Sequence, residues 1–327
     1  MSLFGRQSDA TLPSEGHLPG FDGATGWLNS TPLGAADLRG RVVLVDFGTF
    51  TCINWLRTLP YIRAWAEKYR ELGLVLIGVQ TPEFEIEHDV ESVRRSLQEM
   101  RIEHPVAIDN DYAVWDAFAN RYWPALYLAD QEGALRYHHF GEGRYEESER
   151  AIQELLGEHD DLVSVEGTGI EAPAAWDDVQ SPETYVGYGR AERFASSGDG
   201  VANERRAYAV PEVLRPNQWA LGGEWTIRRE SAVVHEAGGR IAFRFHARDL
   251  HLVLAPEHEG TPVRFRVLLD GQPPGDSHGD DIDEQGGGTV SAVRLYQLVR
   301  QAGRVSDRTF EITFLDPGAQ ALVFTFG

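Results

Sequence analysis

One side chain in this sequence has the chemistry of a redox centre, and it is a single sulfur. Cys52 is the only cysteine among 327 residues, which excludes an intramolecular disulfide, a zinc–thiolate cluster and an iron–sulfur site. It follows the β-branched run RVVLVDF (41–47) and opens INWLRTLPYIRAWAEKYRELG. A thiol at such a junction lies at a helix start, where unpaired backbone N–H groups and the helix dipole favour the thiolate. The thiolate is the nucleophile. A lone core cysteine is also a common inert packing group, so at this point both readings stand. Other chemistry-bearing residues form weaker patterns. His138 and His139 are neighbours in a strand and point to opposite faces, so they cannot share one metal. Asp276, Asp280, Asp281 and Asp283 lie in an acid- and glycine-rich stretch (270–288) whose oxygens suit Ca²⁺. Their spacing is not that of a calcium loop, and a solvated loop is the better reading. His235, His246, His251 and His258 have no ligand spacing, and no phosphate loop or Ser–His–Asp arrangement stands out. No metal and no cofactor is expected.

The elements that must hold Cys52 alternate between strand and helix. After RVVLVDF, the positions Leu56, Leu59, Ile62, Trp65, Ala66 and Tyr69 recur at three and four, a helix period that Pro60 should kink and Gly73 should stop. LVLIGVQ (74–80) is a second buried strand and 89–100 a second amphipathic helix. A short strand (105–109), a short helix (112–120), a hairpin (125–130 and 134–140) and a last helix (144–157) complete an α/β unit. Near residue 160 the pattern changes. A polar linker leads to short alternating runs at 224–230, 232–236, 240–247, 251–256, 263–270, 294–299, 310–316 and 321–327. Many short strands separated by turn residues predict an antiparallel sandwich of jelly-roll type. The expected domains are 1–160 and 161–327.

Composition sets outer limits. With Lys+Arg 30 against Asp+Glu 51, the net charge is −21, which argues against nucleic acid and anionic membrane surfaces as partners. No apolar run approaches the ~20 residues of a spanning helix, so no membrane insertion is expected. The start, MSLFGRQSDA, lacks the basic and apolar regions of a signal peptide. The chain as written is therefore expected in the cytoplasm, or outside it if it is excised from a longer protein.

The segments VVLVDFGTFTCINWLRTLPYI, GLVLIGVQTPEFE and IDNDYAVWDAFANRYWPALYLAD resemble the thioredoxin-like domain of the TlpA/DipZ family of thiol–disulfide proteins. SPETYVGYGR, RLYQLVR and DRTFEITFLDPG resemble the β-sandwich appended to the DipZ type. The resemblance implies an α/β thioredoxin-like domain followed by an all-β jelly-roll-type sandwich similar to carbohydrate-binding modules. It makes Cys52 the nucleophile and places Trp123-Pro124 at the family's cis-proline, whose backbone lines the active site. Glu83 matches an acidic residue near the cysteine pair, suited to giving or taking a proton, though a solvated loop carboxylate fits it equally. Thr51, Trp55 and Trp123 become candidate substrate contacts. The departure lies in the Cys-x-x-Cys pattern, which here reads Cys52-Ile53-Asn54-Trp55. Without a second thiol the chain cannot release a mixed disulfide by itself.

Three functions follow. The first is a monothiol thiol–disulfide oxidoreductase whose partner is a disulfide-containing protein or a low-molecular-weight thiol, with an external thiol resolving the adduct. The second is a non-catalytic thioredoxin-fold binding protein whose sandwich recognises a glycan or a protein. Trp219, Trp225 and Tyr296 could stack on a carbohydrate, although strand alternation makes each more suited to the core. The third and weakest is a one-cysteine peroxidase. Thr49 stands three residues before Cys52, but Val45 occupies the place of the signature proline, and neither Arg57 nor Arg121 can be assigned as the activating arginine.

Overall fold

A computed structural model describes residues 12–197 and 202–327. The leaderless start read above from residues 1–10 lies outside the described residues. The chain divides into two compact units, Met1–Glu83 with Glu87–Glu166, and Phe84–Ile86 with Gly167–Gly327.

The first unit is a mixed sheet clothed by helices. In chain order it comprises β1 (Gly16–His17), β2 (Gly26–Leu28), α1 (Ala35–Leu38), β3 (Val42–Gly48), α2 (Ile53–Tyr69), β4 (Leu74–Gln80), α3 (Val90–Glu99), β5 (Val106–Ile108), α4 (Ala113–Ala117), β6 (Ala125–Ala129), β7 (Ala134–Phe140) and α5 (Tyr145–Leu156). The strands lie in the order β1-β7-β6-β3-β4-β5-β2. The β3–β4 and β4–β5 pairs are parallel and the rest antiparallel. β3 lies near the middle and is buried along its whole length. Its side chains alternate. Val43, Val45 and Phe47 join Ile77, Val79 and Phe118 on one face, and Val42 and Leu44 join Ile62, Trp65 and Tyr69 of α2 on the other. Burying each of these large α2 side chains is worth roughly 1.5–3 kcal/mol, which fixes the helix against the sheet. Asp46 has the parity of Val42 and Leu44, so the same alternation turns a carboxylate toward α2.

α2 runs unbroken through Pro60, where the sequence predicts a kink. The α4 segment is five residues long rather than the nine expected. Asp130 fixes the β6–β7 hairpin by accepting the backbone N–H groups of Glu132 and Ala134, while Gly133 takes the left-handed conformation at φ 80°.

The second unit is all antiparallel in its ladders. Its strands are β8 (Thr184–Tyr185), β9 (Arg205–Tyr208), β10 (Trp219–Ile227), β11 (Ala232–Val234), β12 (Arg240–Phe245), β13 (Asp249–Pro256), β14 (Val263–Leu269), β15 (Gly287–Val290), β16 (Arg294–Arg300), β17 (Arg308–Phe314) and β18 (Ala319–Phe326). The order β15-β14-β17-β12-β10-β11-β18-β13-β16 curls over, with β8 on β18 and β9 on β10. β10 turns the corner. Trp219–Gly222 pair with β12, and from Gly223 (φ 88°) onward the strand pairs with β9 and then β11. One apolar core fills the fold, with Val263, Phe265, Val267 and Leu269 of β14 pointing inward. β15 lies in the stretch read as a glycine-rich loop. A Cβ on Gly288 would sit 2.3 Å from the Phe265 ring, so glycine is what lets this strand lie close.

This core corrects the glycan reading. Trp219, Trp225 and Tyr296 are each fully buried. Trp219 Nε1 donates to the Glu192 carbonyl, Trp225 Nε1 to the Gly222 carbonyl and Tyr296 OH to the Ala292 carbonyl. None presents a face to a sugar. Among the described residues no group of three or more His, Cys, Asp or Glu side chains could hold a metal ion, and no helix is long and apolar enough to cross a membrane. In the acidic stretch, Asp281 pairs with Arg294 at 2.6 Å and Asp283 accepts the backbone N–H groups of Gln285 and Gly287.

Candidate active site

Cys52 is the N-cap of α2. Its backbone is extended (φ −76°, ψ 112°), its carbonyl accepts the Leu56 N–H at 2.9 Å, and its side chain caps nothing. The residue is half-buried. The tight turn before it closes through the Cys52 N–H on the Thr49 carbonyl at 3.0 Å. Across from it the Trp123–Pro124 peptide is cis. Sγ lies 3.9 Å from the Trp123 carbonyl oxygen, so the thiol and the backbone before Pro124 form one site. Trp123 is half-buried. Its ring packs on Trp115 at 4.3 Å, and its Nε1 donates to the Thr81 carbonyl at 3.1 Å.

Trp55, expected as a substrate contact, faces inward. It is 4 % exposed and its Nε1 donates to Asp46 Oδ2 at 2.9 Å. The indole lies on Gly48, where a Cβ would come within 2.2 Å of the ring. Glycine at the end of β3 is therefore what admits the indole. Thr51 is also buried, and its hydroxyl donates to Glu87 rather than facing a substrate. Both expected contacts are thus buried side chains held by internal hydrogen bonds. Glu83 is half-buried, and it is its backbone N–H, donating to Glu87 Oε2 at 2.5 Å, that joins this network. Thr49 is buried and accepts from Gln80 Nε2 at 2.9 Å. Arg57 is buried and paired with Glu142 at 3.3 Å, while Arg121 is exposed.

Two carboxyl groups at the site escaped the sequence reading. Asp46 is 1 % exposed, and burial pushes its pKa up to about 7, against the pull of the Trp55 N–H. Its other oxygen, Oδ1, has no hydrogen-bond partner among the described residues. Its signal was an acid inside an otherwise apolar strand, on the parity that faces α2. Glu87 is fully buried but belongs to the run EFEIEHD, which reads as a solvated acidic loop, and no sequence signal marked it.

A helix-capping cysteine, the cis-proline strand beside it and a buried acid on the central strand define the thioredoxin-like class. Comparison with known proteins carries this further. Residues 181–327 match the family model described as "Thioredoxin like C-terminal domain". Protein DipZ of Mycobacterium tuberculosis is 34% identical over 275 residues, 81% of this chain and 38% of DipZ. Thiol-disulfide oxidoreductase YkuV of Bacillus subtilis is 27% identical over 141 residues, 43% of this chain and 95% of YkuV. A solved thioredoxin-like protein in its oxidized form aligns at 27% identity over 44% of this chain and 97% of its own, with a TM-score of 0.41. The chain has a thioredoxin-like fold and is similar to DipZ and to the thiol–disulfide oxidoreductase YkuV, and it spans little more than a third of the length of DipZ.

Proposed function

We propose that this chain performs thiol–disulfide exchange through Cys52 alone. The Cys52 thiolate attacks a partner's disulfide, forming a Cys52–S–S–R bond and expelling the second partner sulfur as a thiolate. A thiol from outside the chain, on a protein or a small molecule, then attacks this mixed disulfide. It leaves Cys52 reduced and carries the partner off as a new disulfide. The observation that carries the reading is the position of Sγ, half-buried at the start of α2 and 3.9 Å from the carbonyl preceding cis-Pro124. An unpaired helix start favours the thiolate, and the adjacent extended backbone gives an incoming strand a place to lie. Trp55, turned inward onto Asp46, stands where a resolving thiol would be, so the exchange stops at the adduct until another thiol arrives.

The test is intact-mass analysis of the native protein after incubation with a peptide disulfide, followed by addition of a second thiol. The expected result is one adduct per chain, released by the thiol and absent in Cys52→Ser. A native protein that gains no adduct contradicts the reading.

The inward-facing Trp55 also favours a second reading, a thioredoxin-fold binding protein in which the thiol is incidental. On that reading Cys52→Ser leaves partner binding unchanged, whereas on the first it abolishes covalent capture.

A further inference from the structure

Glu87 belongs to neither the helix start nor the cis-proline strand, yet it is fully buried and both its oxygens are engaged. Oε1 accepts the hydroxyl of Thr51, the residue before Cys52, and Oε2 accepts the backbone N–H of Glu83 at 2.5 Å. The loop that carries Glu83 follows β4, and two residues earlier the Thr81 carbonyl accepts Trp123 Nε1 at 3.1 Å. The same loop is anchored from beneath, by Thr81 Oγ1 on Asp109 Oδ2 at 3.0 Å and by Tyr112 OH on the Pro82 carbonyl. The chain of contacts therefore closes on itself. It runs from Cys52 through Thr51 to Glu87, on to Glu83 and Thr81, across to Trp123, and back through the Trp123 carbonyl to Sγ.

Resting on the exchange reading above, we propose that Glu87 is the positioning residue that fixes the distance between the thiol turn and the cis-proline strand. A carboxyl group suits the task because its two oxygens can accept separately, so one group gathers a hydroxyl and an N–H from two loops. A buried acceptor of this kind holds its donors firmly, since an unmade bond there is costly. What Glu87 governs is the geometry a disulfide needs when it lies along the Trp123 backbone while Sγ attacks in line. Reaction with a small electrophile, which needs only an exposed thiolate, does not depend on it.

Two reagents separate these demands. The rate of mixed-disulfide formation with a peptide disulfide is compared with the rate of alkylation by iodoacetamide, in wild type, Glu87→Gln, Thr51→Val and Thr51→Ser. The Glu87→Gln variant keeps one acceptor oxygen and loses the other. The Thr51→Val variant removes the hydroxyl without changing Glu87, which keeps the test open if the Glu87 variant does not fold. The expected result is a fall of about tenfold in the peptide-disulfide rate for Glu87→Gln and Thr51→Val, the magnitude of a lost buried hydrogen bond. Alkylation changes less than twofold, and Thr51→Ser retains the wild-type rate. Equal losses with both reagents, or no loss with either, overturn the positioning role. A wild type that alkylates but does not react with the peptide disulfide overturns the exchange reading itself, a separate outcome.

Discussion

Two aspartates, one in each unit, are both 1 % exposed and are treated in opposite ways. Asp249, at the start of β13, is 1 % exposed and held by Arg248 and Arg300, each at 2.7 Å. Burial pushes its pKa up, but the hydrogen bonds from the two guanidiniums outweigh this and hold it below the usual carboxylate range. Asp46, equally buried on β3, has among the described residues no cation as hydrogen-bond partner, only the Trp55 N–H, and is pushed up to about 7. The first arrangement satisfies a buried charge. The second keeps an acid protonated near neutral pH on the strand that leads to the thiol. Strongly perturbed acids cluster at functional sites, which accords with the proposal that the chemistry lies in the thioredoxin-like unit.

The comparison can be broken or sharpened in several ways. The largest effect is expected at Cys52: Cys52→Ser should lose mixed-disulfide formation entirely while its thermal midpoint stays near wild type, checked by mass analysis and thermal denaturation.

Next is Asp46. Its folded pKa of about 7 lies above its unfolded value of 3.8. The stability held by the neutral form is complete below pH 3.8 and is lost as pH rises through about 7. Wild type should therefore be less stable at pH 8 than at pH 5. Asp46→Asn should abolish that fall, a difference on the order of 2–3 kcal/mol, from about two pH units between pH 5 and the folded pKa at 1.36 kcal/mol each. Denaturant titrations of both proteins at the two pH values decide it.

Asp249→Asn should act in the reverse sense. Its lowered pKa gives stability that is present above pH 3.8 and lost as pH falls through the folded value. The variant should be weaker by roughly 1–3 kcal/mol at pH 7, less than for a fully buried pair because both guanidiniums reach solvent, and should match wild type in strong acid. Smallest is Trp55→Phe. It removes the one hydrogen bond that lowers the Asp46 pKa, so the titration of Asp46 should move above 7, at a stability cost of about 1–3 kcal/mol. Carboxyl-region NMR or infrared titration reads the shift.

Much of the framework was legible because long buried segments write themselves into sequence. β3 and β4 are apolar runs, broken in β3 by Asp46 alone, α2 carries a helix-period stripe, and the sandwich shows as short strand-like runs between turn residues. The elements that went unread are short or lack side chains. β1, β2, β8 and β9 have two to four residues each, too few for any period, and β15 is hidden by the glycines its packing requires. At the site, Cys52 and Trp123-Pro124 were legible as a resemblance, and the structure brings them together. What Trp55, Thr51 and Glu87 do was not legible. Whether an indole covers a thiol or turns inward depends on Gly48 leaving space and on Asp46 offering an acceptor, and both are facts of tertiary packing.

The most direct test is the pH dependence of Cys52 modification in the native protein, followed with a chromogenic aromatic disulfide. The account predicts single-site reaction without denaturant, with a midpoint below the ~8.5 of a free thiol, and reversal on adding a second thiol. A sulfur that reacts only after unfolding, or that titrates at or above the free value, contradicts it.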